Sequence, residues 1–262
     1  MKIKSNLFLK SFILAFVIFS LISGVIIASL YIDMISIEPN TKESTILIGL
    51  TNQDRLVSLM VMNFIPQENR MYYVSIPDNT FTKDKDTVQE SYKGSYESIK
   101  NDIENLIGTE IDRYFLMPID ALAKLTDEVG NFYFLIKTRF DDYSGLTSMN
   151  GESTKLMFEY KDYDMSKTSI SDIAIDYFTS FMSKHGNNNS KEKLVNALTS
   201  TTMLEMVKTN MSKDEVNEYA ILLSKYSDFS VNKVDLNGKI EATSSGLFFR
   251  PTNFTSKENI FK

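Results

Sequence analysis

Few side chains in this sequence could do chemistry unaided. There is no Cys and one His, His185. Without Cys, disulfides, zinc fingers, iron–sulfur sites and thiol nucleophiles are excluded together. One His excludes the usual His-based metal sites and leaves any Ser-His-Asp triad dependent on His185. That residue stands beside Gly186 and an Asn run, which reads as a helix end or loop. Asp84 with Asp86, and Asp141 with Asp142, are carboxylate pairs whose oxygens could hold Ca²⁺. Both pairs sit in polar stretches and read as solvated loop charge. Asn188, Asn210 and Asn253 head Asn-x-Ser/Thr triplets, which matter only in a glycosylating host. The sequence has no Gly-x-x-x-x-Gly-Lys phosphate loop, no Gly-x-Gly-x-x-Gly, no Gly-x-Ser-x-Gly elbow and no His-Glu-x-x-His.

The elements that must position any site are easier to read. The 262 residues are 43% hydrophobic and 24% charged, which excludes wholesale disorder and suits one folded domain. The net charge of −6 argues against a nucleic-acid partner, which calls for a basic face. That charge is unevenly spread. Lys2, Lys4 and Lys10 precede a run without any charge from Ser11 to Ile32, and Asp33 and Glu38 follow it. The run is long enough for the roughly 20 residues a helix needs to cross a bilayer, and too long for a signal-peptide core. The basic side stays inside. The expectation is a cytoplasmic tail (1–10), a transmembrane helix (11–32), a linker (33–44) and an extracytoplasmic domain (45–262) on the cytoplasmic membrane. An exported domain without Cys suits an organism that does not use disulfides outside the cell, as in many Gram-positive bacteria.

Within that domain Thr45–Leu50 is a short apolar run of buried-strand type. Leu59–Phe64 and Met71–Ile76, joined by a turn-rich spacer, read as an antiparallel hairpin. Asn79–Gly94 reads as a loop. Tyr96, Ile99, Ile103 and Leu106 have helical spacing, ended by Gly108. Tyr114–Met117 and Phe132–Ile136 are strand-like and bracket a helix that opens at Pro118 and carries Leu122 and Leu125. Ile170, Ile173, Tyr177, Phe178 and Phe181 form a second helical stripe, read as core or as the lining of a lipid groove. Ser212-Lys-Asp-Glu215 is a capping box. Val231–Leu236 and Lys239–Thr243 flank Asn237-Gly238, the expected signature of a hairpin. Interleaved strands and helices predict an α/β fold, a single layered domain with a central mixed β-sheet flanked by helices and preceded by the transmembrane helix.

The order of these pieces resembles the LytR-CpsA-Psr (LCP) family, membrane-anchored enzymes that move lipid-pyrophosphate-linked glycopolymers onto peptidoglycan. Four stretches carry the likeness and span nearly the whole exported part. TILIGL (45–50) with LMVMNFIPQENRMYYVSIPDNTF (59–81) is similar to the family's strand, hairpin and "SIPRDT" signature. ENLIGTEIDRYFLMPIDALAKLTDEVG (104–130), GLTSMNGESTKLMFEYK (145–161) and VKTNMSKDEVNEYA (207–220) match later family segments in order.

The departures fall on the charged positions of that pattern. Where the resemblance implies an Asp that helps hold Mg²⁺, this chain has Thr51 and Asn52. The segment "RSDT" reads Arg55-Leu-Val-Ser58, so Val57 stands for an acid. "SIPRDT" reads Ser75-Ile-Pro-Asp-Asn-Thr80, with Asp78 for Arg and Asn79 for Asp. "YVRYR" ends Phe158-Glu-Tyr-Lys161, with Glu159 and Lys161 for two arginines. Phosphoryl transfer needs cations on the phosphate oxygens, and the planar Arg fork suits them best. Two unit charges about 4 Å apart interact by about 4 kcal/mol at an effective dielectric of 20, so reversing a sign costs a diphosphate several kcal/mol.

The resemblance therefore implies an envelope protein with the fold and without the transferase site. The expected ligand-binding positions are Asn52, Asp54, Arg55, Asp78, Asn79, Glu159 and Lys161. The expected partners are a polyprenyl-linked glycopolymer, peptidoglycan or an active LCP homologue. Mg²⁺ is implied only if the family activity survives. The rival expectations are a divergent transferase using Asp54, Arg55, Asp78 and Lys161, and an envelope sensor or adaptor with an acidic face.

Overall fold

The computed structural model describes residues 42–82, 86–160, 169–187, 189–243, 246–252 and 259–261. The chain divides at residue 40, and everything described belongs to the unit from Thr41 onward. The run 11–32 lies outside the described residues. Among the described ones no helix is long and apolar enough to cross a membrane.

Six strands form the central sheet: β1 (Ser44–Asn52), β2 (Arg55–Ile65), β3 (Arg70–Ile76), β4 (Arg113–Pro118), β7 (Lys208–Thr209) and β8 (Ser230–Val234), in the order β7-β4-β1-β2-β3-β8. β1 runs parallel to β4 and β3 parallel to β8, and the other pairs are antiparallel, so the sheet is mixed. Strands β1 and β2 are buried on both faces, which is why they read as continuous apolar runs rather than alternating ones. Met60, Met62 and Phe64 point into one layer, Leu59 and Val61 into the other.

The smaller layer is covered by α1 (Val88–Ser91) and α2 (Lys100–Ile107), whose Val88, Ile103, Leu106 and Ile107 pack on Leu59, Val61 and Val74. Gly108 ends α2 at φ 70°, a left-handed position that glycine adopts without a Cβ clash. The larger layer holds α3 (Ile119–Val129), α4 (Gly151–Glu159), α5 (Ile170–His185), α6 (Lys191–Thr199), α7 (Thr201–Met206) and α8 (Lys213–Leu223). Ser212 and Glu215 cap α8 reciprocally, as the sequence pattern requires. Beside α5 lies a separate two-stranded sheet, β5 (Phe132–Phe140) with β6 (Tyr143–Met149).

Two expectations need correction, and one pairing was not foreseen. Asn237-Gly238 does not turn a hairpin. β8 instead adds to the edge of β3, while β9 (Gly238–Thr243) pairs with β10 (Gly246–Pro251). Gly238 serves a close approach there: a Cβ on it would lie 2.3 Å from Phe249 and 2.6 Å from the Arg250 carbonyl. Second, the segment read as a loop contains α1, started by the capping box of Thr87 and Glu90. The unforeseen pairing is that of β1 with β2, a tight hairpin through Gln53-Asp54 with Gln53 at φ 55°. Neither central residue is Gly or Asn, so the turn lacks the usual two-residue hairpin signal.

Candidate functional site

β1 ends, β2 begins and β3 ends at the same edge of the sheet, because β2 is antiparallel to both neighbours. Asn52 lies opposite Arg55, and Leu59 opposite Ile76. Asn52, Asp54, Arg55, Asp78 and Asn79 are thereby gathered at one end of the fold. The N-terminus of α5 is fixed at this end too. Ser171 Oγ accepts from the Leu59 amide at 3.3 Å and donates to the Ile76 carbonyl at 3.0 Å.

An apolar cavity of about 110 Å³ opens between the sheet and the helices of the larger layer. The sheet contributes Ile48, Leu50, Met60, Phe115 and Met117, and the helices Leu122, Leu125, Phe178, Phe181 and Leu198. Of its lining side chains only Ser58 and Tyr177 carry polar atoms. The Tyr177 hydroxyl is engaged elsewhere, at 2.6 Å from Thr126 Oγ1 and 2.9 Å from Thr154 Oγ1. Burial pushes its pKa up to about 12. It gives the cavity a ring rather than a hydroxyl. The aromatic stripe read from the sequence is this wall.

At the sheet end the charges are sparse. Burial pushes the Asp78 carboxyl above its ordinary range, and the charge of Arg55 pulls it back only in part. Asp54 faces the chain at Gly94, and its charge helps hold the Tyr92 hydroxyl protonated, after the effect of burial. Phe249 donates its amide to the Asn79 carbonyl at 3.2 Å, and Phe81 stacks on Phe248 at 5.0 Å, so β10 covers the chain after Asn79.

Glu159 belongs to a different set. It ends α4, 4.0 Å from Lys155, which binds Asp120 more closely at 2.6 Å. The structure thus brings Arg55 and Asp78 together and places Asn52, Asp54 and Asn79 at the same end. Lys161 lies outside the described residues. Sequence reasoning missed the neutral groups at this end. The hydroxyls of Ser75, Thr80, Thr82 and Tyr92 are buried and find no hydrogen-bond partner among the described residues. Ser75 faces Met60 across the β2–β3 ladder, beside the cavity wall. Hydroxyls carry no signal in a search for charged motifs.

The donor set does not fit Mg²⁺, which wants several carboxylate oxygens in a near-octahedral shell. Desolvation works against the charged form of Asp78, and Asp54 points at the Tyr92–Gly94 chain. Among the described residues no three carboxylate or imidazole groups gather around a common point. Asp86 is exposed, its neighbour Asp84 lies outside the described residues, and Asp141 and Asp142 sit exposed at the β5–β6 turn. His185 closes α5 and is buried against Phe132 and Phe181, far from this end of the sheet.

The architecture has counterparts among solved structures. B. subtilis TagV superposes with a TM-score of 0.68 over 82% of this chain and 94% of its own, at 20% identity. TagT bound to LI-WTA gives 0.62 at 14% identity, covering 83% of this chain and 87% of its own. Lin1025 from Listeria innocua gives 0.57 at 17% identity, covering 81% and 93%. This chain has the LCP fold. No protein-family model and no curated protein matches the sequence. The likeness is therefore one of fold; the cavity is walled by apolar side chains of the sheet and the larger layer, and Arg55, Asp78 and Asp54 stand at the sheet end outside its lining.

Proposed function

We propose that this is a membrane-anchored, extracytoplasmic LCP-like protein of cell-envelope glycopolymer assembly. It holds the hydrocarbon part of a polyprenyl-linked ligand and does not transfer the attached phosphate. The observation that carries this reading is an apolar cavity in the larger layer of a fold whose sheet end sets one placed cation, Arg55, among the acids Asp54 and Asp78. Hydrocarbon gains from such walls, at roughly 25 cal/mol per Å² of apolar surface removed from water. A diphosphate at that sheet end would meet two acids and one placed cation. That TagT has been solved with LI-WTA bound supports a glycopolymer ligand for this fold.

The test uses the full chain in detergent with a polyprenyl pyrophosphate-linked sugar, Mg²⁺ and a peptidoglycan acceptor. The expected result is retention of the lipid on the protein with the P–O–P bond intact. Transfer would break that bond, pass the sugar phosphate to an acceptor hydroxyl and release polyprenyl phosphate. Release that requires Mg²⁺ and disappears in Arg55→Ala would overturn the reading in favour of a divergent transferase.

A further inference from the structure

The β5–β6 hairpin has two unlike faces. Phe132, Phe134 and Ile136 point inward, where Phe132 meets Tyr177 and Phe181 edge-on at 5.0 and 5.5 Å. The outward face is also apolar. Tyr133 is 71% exposed, Leu135 54% and Leu146 70%, and Leu135 sits directly opposite Leu146 in the ladder. Apolar side chains gathered on one exposed face mark a contact surface more often than scattered ones do.

The chain itself points to what covers this face. Phe132 lies 6.3 Å from His185, at the end of α5. Gly186 accepts from the Ser227 amide, and Ser230 donates to Asn69 in the β2–β3 turn. β1 starts at that same end of the sheet, with Ser44 opposite Phe64. The apolar half of the hairpin is therefore level with the start of β1, and Asp141 and Asp142 are at the far tip. The uncharged run ends at Ile32, so no more than about 40 Å of extended chain separates it from Ser44. The two strands carry Lys137 and Arg139 and no acid, in a chain of net charge −6. Lys137 is shared with Asp176 at 2.6 Å and Arg139 with Asp142 at 3.6 Å, so charge only assists and the apolar face makes the contact.

We infer that this face rests on the lipid bilayer, with the Tyr133 ring at headgroup level and Leu135 and Leu146 at the acyl boundary. Tyrosine favours that depth because one end of its ring is apolar and the other polar. A patch of three side chains would hold a free protein only weakly. Tethering turns the contact into an intramolecular one, and a weak surface then suffices. The inference rests on the membrane anchor in the proposed function.

The chain contains no Trp, so one introduced residue reports alone. Full-length Tyr133→Trp and Leu146→Trp, with Ile240→Trp on β9 as the exposed comparison, are reconstituted in phosphatidylglycerol–phosphatidylcholine vesicles. The expected result is a blue shift and about twofold quenching by brominated acyl chains at 133 and 146, with emission at 240 unchanged. Vesicles that float the protein through a carbonate wash yet leave 133 and 146 unquenched overturn the docked face alone. Loss of flotation overturns the anchor and this inference with it. A blue shift that grows with protein concentration and ignores bromine assigns the face to a second copy and also overturns it.

Discussion

Tyr177→Phe separates what the cavity wall owes to its ring from what it owes to its hydroxyl. Thr126 Oγ1 donates its one hydrogen to the Leu122 carbonyl at 2.9 Å, so Tyr177 must donate to Thr126, and Thr154 to Tyr177. Thr126 and Thr154 are both fully buried. Removing the Tyr177 oxygen leaves Thr126 with its donor bond and strands the Thr154 hydrogen. A buried polar group without a partner costs about 1–3 kcal/mol, so the loss is about 2 kcal/mol. For a domain of this size that lowers the melting temperature by about 4–8 °C. Adding Thr154→Val removes the stranded group and recovers most of the loss, since replacing both partners by apolar groups is nearly neutral. Lipid uptake is unchanged throughout, because the ring stays in place. The assay is thermal unfolding by circular dichroism on residues 41–262, beside retention of a labelled polyprenol. A single variant melting within about 1 °C of the parent, or a double variant no better than the single, refutes the ordered hydroxyl chain.

Three further outcomes follow from the site. Asp78→Asn raises stability at neutral pH. The folded carboxyl titrates above its unfolded value, so its penalty is present at neutral pH and fades as pH falls through the folded pKa. Urea denaturation of both proteins at neutral and acid pH checks this, and a difference independent of pH refutes it. His185 has the opposite sense. Burial lowers its pKa from 6.5, so the folded state is stable above that value and loses stability as pH falls below it. His185→Leu flattens this acid limb in the same measurement, and an unchanged limb refutes the assignment. Ala174→Phe, on the cavity wall, abolishes polyprenol retention while stability moves by no more than about 1–3 kcal/mol; retained binding places the ligand elsewhere.

The helices were the most legible part of the sequence. Three-to-four spacing of Ile103 and Leu106, or of Tyr177 and Phe181, reports a buried face directly, and Ser212 with Glu215 marks a start. β1 and β2 were legible as strands because both faces are buried. Their partners were less so. β8 is an edge strand of mixed character whose place beside β3 depends on contacts far away in sequence, and the local Asn-Gly preference lost to that pairing. β6 carries exposed Ser144, Leu146 and Ser148 and went unread for the same reason. At the site, the aromatic stripe was legible as a wall. The meeting of Arg55 with Asp78 needed the turn at Gln53-Asp54, whose central pair is not of the Asn-Gly type that marks hairpins.

The cavity and the polar sheet end stand in different relations to folding. Polar groups at a sheet end add little to stability, and a partly buried Asp78 subtracts from it, so charge there can change without harm to the fold. Apolar walls are different, since the residues that line the cavity also form the core. Their presence alone says no more than that the protein folds. The open volume says more. At about 24 cal/mol per Å³, leaving 110 Å³ unfilled forgoes about 2–3 kcal/mol, an appreciable part of a domain's net stability. A larger side chain at Ala174 or Ser58 would fill it. A chain shaped by stability alone would have closed that space, so the open volume argues for an apolar guest.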